Sequence, residues 1–231
     1  MNMSRENRNS PSLVLICMGL GLLLLSHSAQ AQLYAGVMGG VASLSGDSSS
    51  VINPPSGAFA SYNPQNGPVL DGFVGKHLTD YFTVQADYDW NRNSLMLSGA
   101  SFGSGVFAEY KEMRQSSQQS AFASVLVYFR KRESRVRPYL SVGTGFVHLS
   151  SMQEGIPTVE HAPALPSQTF GSSMIALRVP VGIDIRLHKA WFFRYSFSET
   201  ISHNPISDQL SPPGPHALKN FQNLFGVLYR F

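Results

Sequence analysis

The chain has 231 residues, of which 11% are aromatic and only 13% are charged, and its formal net charge is +3. Soluble domains carry about a quarter charged residues, and a net charge this small, with no basic patch interleaved with aromatic residues, argues against nucleic-acid binding. A mean hydropathy of −0.05 excludes a bundle of apolar transmembrane helices.

The first 31 residues have the pattern of a secretory signal peptide. A positively charged start precedes an apolar run over Leu13–Leu25, which is shorter than the ~20 residues that a membrane-spanning anchor needs. Ala29 and Ala31 have the small-residue spacing of a cleavage site. We therefore predict a signal peptide over 1–31 and a mature domain over 32–231, which contains no cysteine and hence no disulfide.

The mature domain contains no run of about 18 consecutive apolar residues. Instead, apolar and polar residues alternate in a series of short segments, and this period of two is typical of strands with two different faces. Glycines weaken the alternation in the first two segments. In chain order the eight predicted strands are LYAGVMGGVA, PVLDGFVGKHL, YFTVQADYDW, QSAFASVLVYF, RPYLSVGTGFVHL, MIALRVPVGIDIRL, WFFRYSFSE and FQNLFGVLYRF.

The alternation assigns one face of each strand to lipid and the other to a polar interior. In the sixth segment every odd position over 175–187 is apolar, whereas Arg178, Asp184 and Arg186 occupy even positions. A helix would instead place apolar residues at spacings of three and four. The fourth segment carries apolar residues on both faces, so its residues leave the inward face undetermined.

The connections between these segments alternate in length. LTDY, RKRESRVR and LHKAW are short or modest and charged, whereas the connections over 43–67, 92–118, 150–171 and 200–219 are long and rich in Ser, Pro, Gly, Asn and Gln. Bacterial outer-membrane barrels combine short periplasmic turns with long external loops. With eight strands, both ends of the mature chain are then expected on the periplasmic side.

These features together predict an all-β fold, an eight-stranded antiparallel up-and-down transmembrane β-barrel. In hydrocarbon every backbone N–H and C=O group must be satisfied within the protein, and only helices and closed sheets achieve this. Pairing the first strand with the last removes the open edges of the sheet. A signal peptide followed by such a barrel predicts the outer membrane of a Gram-negative bacterium as its location.

The chain resembles the small eight-stranded bacterial outer-membrane barrels, the OmpA-like transmembrane domain and OmpX-type group, over about the whole mature domain. The resemblance rests on the ending LFGVLYRF, with aromatic or apolar residues at alternate positions up to a final phenylalanine. It implies that Phe225, Val227, Tyr229 and Phe231 form the signal that the barrel-assembly machinery reads. It also implies contact with outer-membrane lipid and lipopolysaccharide, and it indicates no activity.

The charged residues on the polar faces form a predicted lumen charge network. An eight-stranded barrel is about wide enough for side chains to fill its interior, and a buried charge is costly without a partner. We expect these groups to pair and plug the lumen, and a narrow gated channel is the alternative. The residues are Asp87, Asp89, Arg178, Asp184, Arg186, Arg194 and Arg230.

A lipid A-modifying enzyme is the main alternative function. The deacylases among small outer-membrane barrels carry a His-x-Ser pair, and the nearest stretch here, Arg194 to Ser196, has an arginine that cannot accept a proton. His203 is about seven residues from this serine, too far for a base unless the chain folds back. A palmitoyltransferase would need a surface histidine, and the other candidates fall in predicted loops: His148, His161 and His216.

No residues have the spacing of a metal site, and we expect no cofactor. The sequence thus predicts a non-enzymatic outer-membrane barrel with a structural or surface-interaction role; a deacylase-like enzyme and a narrow passive pore remain alternatives. The proline-containing stretches PPSGAFASYNPQNGP and NPISDQLSPPGPHAL fit recognition at the cell surface and shielding of the barrel mouth equally well. The residues indicate no particular surface ligand.

Overall fold

The computed structural model describes six ranges of the chain, and these consist almost entirely of β-strands. Within them no helix is long and apolar enough to cross a membrane. The predicted signal peptide over 1–31 lies outside the described residues. The described ranges are 32–45, 50–52, 58–103, 106–160, 167–207 and 217–231.

Ten strands follow one another along the described part of the chain, and every pairing between them is antiparallel. Side chains along a strand alternate between the two faces of the sheet, because successive residues point to opposite sides. The strands are β1 Leu33–Ser45, β2 Ser50–Ile52, β3 Ala58–Pro64, β4 Gly67–His77, β5 Phe82–Gly103, β6 Val106–Tyr128, β7 Val136–Glu160, β8 Thr169–His188, β9 Trp191–His203 and β10 Ala217–Arg230.

Eight of these strands close into a ring, in the order β1, β4, β5, β6, β7, β8, β9, β10 and back to β1. The closing pair runs from Tyr34 opposite Arg230 to Ser45 opposite Lys219. The short strands β2 and β3 add to the far part of β5, outside the ring. The prediction of an eight-stranded antiparallel barrel is therefore confirmed, and closure leaves no open edge within the ring.

The strands are longer than the sequence indicated, and the prediction of loops over 92–118 and 150–171 is wrong for most of their length. β5 continues to Gly103 and pairs with β6 without interruption up to Val106. β7 likewise continues to Glu160. These segments form β-hairpins that extend the barrel wall.

Composition explains why the sequence did not reveal these extensions. The stretch of β6 from Arg114 to Gln119 is polar on both faces, so it has no alternation between apolar and polar residues to detect. Its pairing with β5 is a long-range interaction that the local sequence does not report. Strands form there because the backbone pairing of β5 with β6 continues without a break from the apolar part of the barrel.

The two faces of each barrel strand differ in exposure as the alternation predicted. On β8, Ile175 is 71% exposed and Arg178 only 2%. On β6, whose inward face the sequence left undetermined, Phe122, Leu126 and Tyr128 point inward and are buried. The outward face thus forms an apolar band and the inward face holds most of the charges.

The two ends of the barrel differ in their connections. Residues 78–81, 129–135 and 189–190 form the three short connections at one end, which we call the turn end. Lys189, in the shortest of them, has a positive φ of 33°, a conformation that tight turns require and that most side chains disfavour. The opposite end, where β5, β6 and β7 extend, is the hairpin end.

Candidate functional site in the barrel interior

The middle of the barrel is occupied by one arginine that joins four strands. Arg178 of β8 lies 3.1 Å from Asp71 of β4 and 3.4 Å from Asp89 of β5, measured between nitrogen and carboxylate oxygen. It also donates a hydrogen bond of 3.2 Å to the side-chain oxygen of Gln222 on β10. Gln222 in turn donates to Asp89 at 3.1 Å. We call these four residues the middle network; all are buried.

A second group of charges lies nearer the turn end. Arg194 of β9 forms a two-point ion pair with Asp184 of β8, with N–O distances of 2.6 and 2.8 Å. Such bidentate pairs are among the stronger charge-assisted contacts. Tyr128 donates a hydrogen bond of 2.7 Å to the same carboxylate, and Arg194 donates one of 2.7 Å to Gln85. We call these four residues the lower network.

Aromatic rings enclose the Arg194 guanidinium. Its central carbon lies 4.7 Å from the ring centre of Phe73, 5.0 Å from that of Tyr139 and 5.4 Å from that of Tyr34. A cation over an aromatic face is attracted by the ring's electron density. The Arg194 guanidinium therefore has a counter-charge, hydrogen-bond acceptors and aromatic rings packed around it.

A small cavity lies between the two networks. Its volume is about 10 Å³, which is room for about one water molecule. Asp87 lines it and accepts a hydrogen bond from Ser124, but it forms no ion pair with a described arginine. The cavity is far too small for a lipid or a sugar.

Two arginines of the predicted lumen network are not part of either group. Arg186 of β8 and Arg230 of β10 point inward at the turn end, where both guanidiniums lie over the Phe192 ring, at 5.5 and 4.4 Å. Neither forms an ion pair with a carboxylate of the described residues. Of the predicted charges, the structure thus pairs Asp89 with Arg178 and Asp184 with Arg194. Arg186 and Arg230 belong to neither the middle nor the lower network.

Two members of the middle network are not among the predicted lumen charges. Asp71 lies in a strand whose alternation glycines weaken, although it shares parity with the apolar inward residues Val69 and Phe73. Gln222 is uncharged, so a pattern of charges does not reveal it. Asp71 could have been recognised from the sequence, because a carboxylate within an otherwise apolar strand indicates a buried partner.

The interior above the middle network is first amide-rich and then apolar. Gln118 accepts hydrogen bonds from Asn91 at 3.3 Å and from Asn220 at 2.8 Å. Towards the hairpin end follows a cluster of buried apolar side chains that the sequence analysis missed, since several of them fall in predicted loops. We call it the apolar plug; it consists of Leu44, Leu95, Leu97, Tyr110, Leu149, Ile206 and Leu218.

The residues considered for lipid A chemistry do not come together. Ser196 is buried inside the barrel, whereas His203 ends β9 on the outward face, so the two side chains point to opposite sides of the sheet. His148, at the edge of the predicted loop over 150–171, lies on β7, where it is exposed and 2.8 Å from Ser173. His161 and His216 lie outside the described residues, among which no three potential ligands could hold a metal ion.

The four residues of the implied assembly signal all face outward. Phe225, Val227 and Tyr229 belong to β10 and Phe231 follows it, with its backbone N–H bonded to Leu33 of β1 at 2.9 Å. The Tyr229 ring lies 5.1 Å from the ring of Trp191 and 5.1 Å from that of Phe231. These side chains form an aromatic patch at the turn end, on the outer surface of the closing seam.

Comparison with known proteins gives a family and a fold. A family model described as the outer membrane protein beta-barrel domain matches residues 13–231. No curated protein matches the chain significantly.

Several solved structures are similar. Neisserial surface protein A has a TM-score of 0.50 at 14% identity, with 87% of this chain and 99% of that chain covered. Ail, the attachment invasion locus protein of Yersinia pestis, has 0.46 at 13%, covering 87% and 97%. The outer membrane protease OmpT from Escherichia coli has 0.42 at 11%, covering 87% and 97%. Identities this low show at most a shared fold, and a fold does not determine an activity.

Proposed function

Since this chain belongs to the outer membrane protein beta-barrel domain family, we propose that it forms a closed, non-enzymatic outer-membrane barrel whose role is structural or lies in contacts at the cell surface. The observation that carries the proposal is the filled interior. The middle and lower networks and the apolar plug occupy successive levels between the two ends. A narrow eight-stranded barrel has no further room for a channel.

Charge pairing supports a closed state over a conducting one. Arg178 pairs with carboxylates of two adjacent strands, β4 and β5, and Gln222 connects it back to Asp89. Opening a path for ions would separate these charges inside a medium of low dielectric, where unpaired charges are costly. The apolar plug adds a second barrier, because a dry apolar constriction resists the passage of water and ions.

The extended hairpins support a role outside the membrane. On β5 the outward face changes from Trp90 to Arg92, and on β6 from Ala121 to Gln119, which marks the upper limit of the apolar band. Beyond this limit β5 and β6 pair for a further stretch up to Gly103 and Val106. An extension this long exceeds what closing the barrel requires, and it is well suited to presenting residues to a partner.

The proposal also covers how the barrel is oriented in the outer membrane and how it is assembled there. Export by the predicted signal peptide would place the turn end in the periplasm and the hairpin end outside, among lipopolysaccharide. The outward aromatic patch formed by Phe225, Tyr229 and Phe231 would be accessible to the barrel-assembly machinery before the sheet closes. Before closure β10 has an unpaired edge, where a strand of a partner can add and recognise the alternate outward side chains.

Planar-bilayer recording tests the closed state. The protein purified from outer membranes is expected to give no steady current after insertion, because the charge networks and the plug leave no continuous aqueous path. Insertion is checked independently by the gel band that shifts on heating. A stable open level of uniform conductance, lost on heating, would contradict the closed barrel and favour the pore.

A further inference from the structure

Four arginines converge at the turn end of the barrel, and the paired networks above do not account for them. Arg137 is the second residue of β7, Arg186 lies two residues before the end of β8, Arg230 is the last residue of β10, and Arg132 belongs to the connection between β6 and β7. We call them the arginine cluster. Direct contacts connect them: Arg186 reaches the backbone of Arg132 and shares the Phe192 ring with Arg230. Arg137 lies over the Tyr128 ring, whose centre is 5.9 Å from that of His77 on β4.

Aromatic faces and backbone oxygens hold the cluster in place. The Arg137 guanidinium lies 3.8 Å from the centre of the Tyr128 ring and donates a hydrogen bond of 3.0 Å to the carbonyl oxygen of Asp80. Arg186 donates one of 3.1 Å to the carbonyl oxygen of Arg132. Arg186 and Arg230 share the Phe192 ring. These contacts orient the guanidiniums but bring no negative charge.

The carboxylates near the cluster do not balance it. Asp184 is already held by Arg194 and Tyr128. Asp80 lies 3.7 Å from Arg132 and is 41% exposed. Among the described residues, none forms an ion pair with Arg137, Arg186 or Arg230.

Several N–H groups of the cluster have no acceptor. The Nε and Nη1 atoms of Arg137 are buried without a hydrogen-bond partner, and so are the Nε atoms of Arg132, Arg186 and Arg230. Arg137 as a whole is fully buried. Buried guanidiniums are normally paired and hydrogen-bonded, because an unpaired charge is costly to desolvate. Arg178 and Arg194 in the same barrel each have a buried carboxylate partner, although the Nε of Arg178 also lacks an acceptor. Among the described residues, Arg137, Arg186 and Arg230 have no such partner.

We propose that the arginine cluster is a binding site for a phosphate group, which enters from the turn end. The three arginines without a carboxylate partner offer only donors, and a guanidinium presents them in a planar fork that matches the spacing of phosphate oxygens. A tetrahedral oxyanion has acceptor oxygens in several directions, which suits guanidiniums that come from different strands. A chloride ion also accepts N–H donors, but it is a single centre of one charge and matches a planar fork less well than phosphate does. Free phosphate and the headgroup of a phospholipid share this chemistry.

Calorimetric titration with inorganic phosphate tests the site. The protein, purified in neutral detergent, is titrated at constant ionic strength against a chloride background. Saturable phosphate binding is expected, and Arg137→Gln and Arg230→Gln should each weaken it by about tenfold or more, the effect of losing one charge-assisted contact. Arg130→Gln is the matched control, because Arg130 is an exposed arginine of the same connection and its loss should change the affinity little.

A second arm distinguishes the two sources of phosphate. The titration is repeated with the protein in phospholipid nanodiscs. If a headgroup occupies the cluster, the heat of phosphate binding seen in detergent disappears in nanodiscs; if the source is soluble, it persists. Either result supports the phosphate site.

Three outcomes would overturn the proposal: no saturable binding in detergent, equal competition by chloride, or the same loss of affinity in Arg130→Gln as in Arg137→Gln. Folding of each variant is verified by the heat-shifted gel band. If Arg137→Gln fails to fold, Arg186→Lys replaces it, because lysine keeps the charge but lacks the fork. Arg186→Lys should then weaken phosphate binding, and an unchanged affinity would count against the site.

Discussion

At the level of single residues, the interior separates two kinds of arginine. Arg178 and Arg194 are buried and paired with carboxylates on other strands. In the arginine cluster at the turn end, Arg137, Arg186 and Arg230 are held by rings and carbonyl oxygens without an ion pair among the described residues, and Arg132 has only a partly exposed one. Both groups of arginines project from the same barrel wall. They differ in whether the strands around them carry a carboxylate at the same level of the barrel.

The buried pair of Asp184 and Arg194 should be important for stability. Asp184→Asn keeps the shape of the side chain but leaves Arg194 without a counter-charge in a buried site, so we expect a loss of about 3–5 kcal/mol in the free energy of unfolding. Urea-induced unfolding in liposomes measures it. Asp80→Asn is the control, since its pair with Arg132 is partly exposed and should be worth about 0–1 kcal/mol. Equal losses in the two variants would contradict the importance of the buried pair.

At the level of elements, closure depends on the seam between β1 and β10. Gly40 of β1 lies opposite Leu224 of β10. A Cβ at position 40 would overlap the backbone carbonyl oxygen of Asn223 in the facing strand. The missing side chain therefore allows the two backbones to approach, which is a common reason for glycine inside a strand.

Substituting this glycine should weaken the seam. Gly40→Ala is expected to destabilise the barrel by about 1–3 kcal/mol, because the added methyl group forces β1 away from β10. Gly72→Ala on β4 is the control, since a Cβ there would meet no atom within 4 Å. The fraction of heat-shifted protein after refolding at increasing urea concentration reports the difference. If both alanine variants refold equally well, the seam tolerates the methyl group and the close approach is unimportant.

At the level of the whole molecule, the barrel has an apolar lower part and a polar extension. The extension of β5 and β6 forms no part of the apolar band, yet its inner face holds Leu95, Leu97 and Tyr110 of the apolar plug. Of the described side chains in its tip, beyond Gly99 opposite Tyr110, none belongs to this plug. The tip can therefore be changed without disturbing closure.

Shortening this tip tests the surface role. Replacing residues 100–109 by an Asn-Gly turn, which suits a two-residue hairpin connection, should leave assembly and the heat-shifted gel band unchanged. Adhesion of cells carrying the shortened protein to protein- and glycan-coated surfaces should fall to the level of cells lacking the protein. Adhesion equal to that of the wild type would show that the tip only shields the barrel mouth.

The sequence alone was sufficient to predict the closed eight-stranded sheet and the faces of its clearest strands, because alternation between lipid and interior is a local property of each strand. Ile175 and Arg178 show this contrast within four residues. Only the tertiary structure decided how far β5, β6 and β7 extend, and which charges meet. Asp71 contacts Arg178 from a strand distant in sequence, whereas Arg186 and Arg230 form no ion pair with a carboxylate in the described ranges. Pairing across the lumen depends on the register and order of strands around the ring, and these are long-range properties.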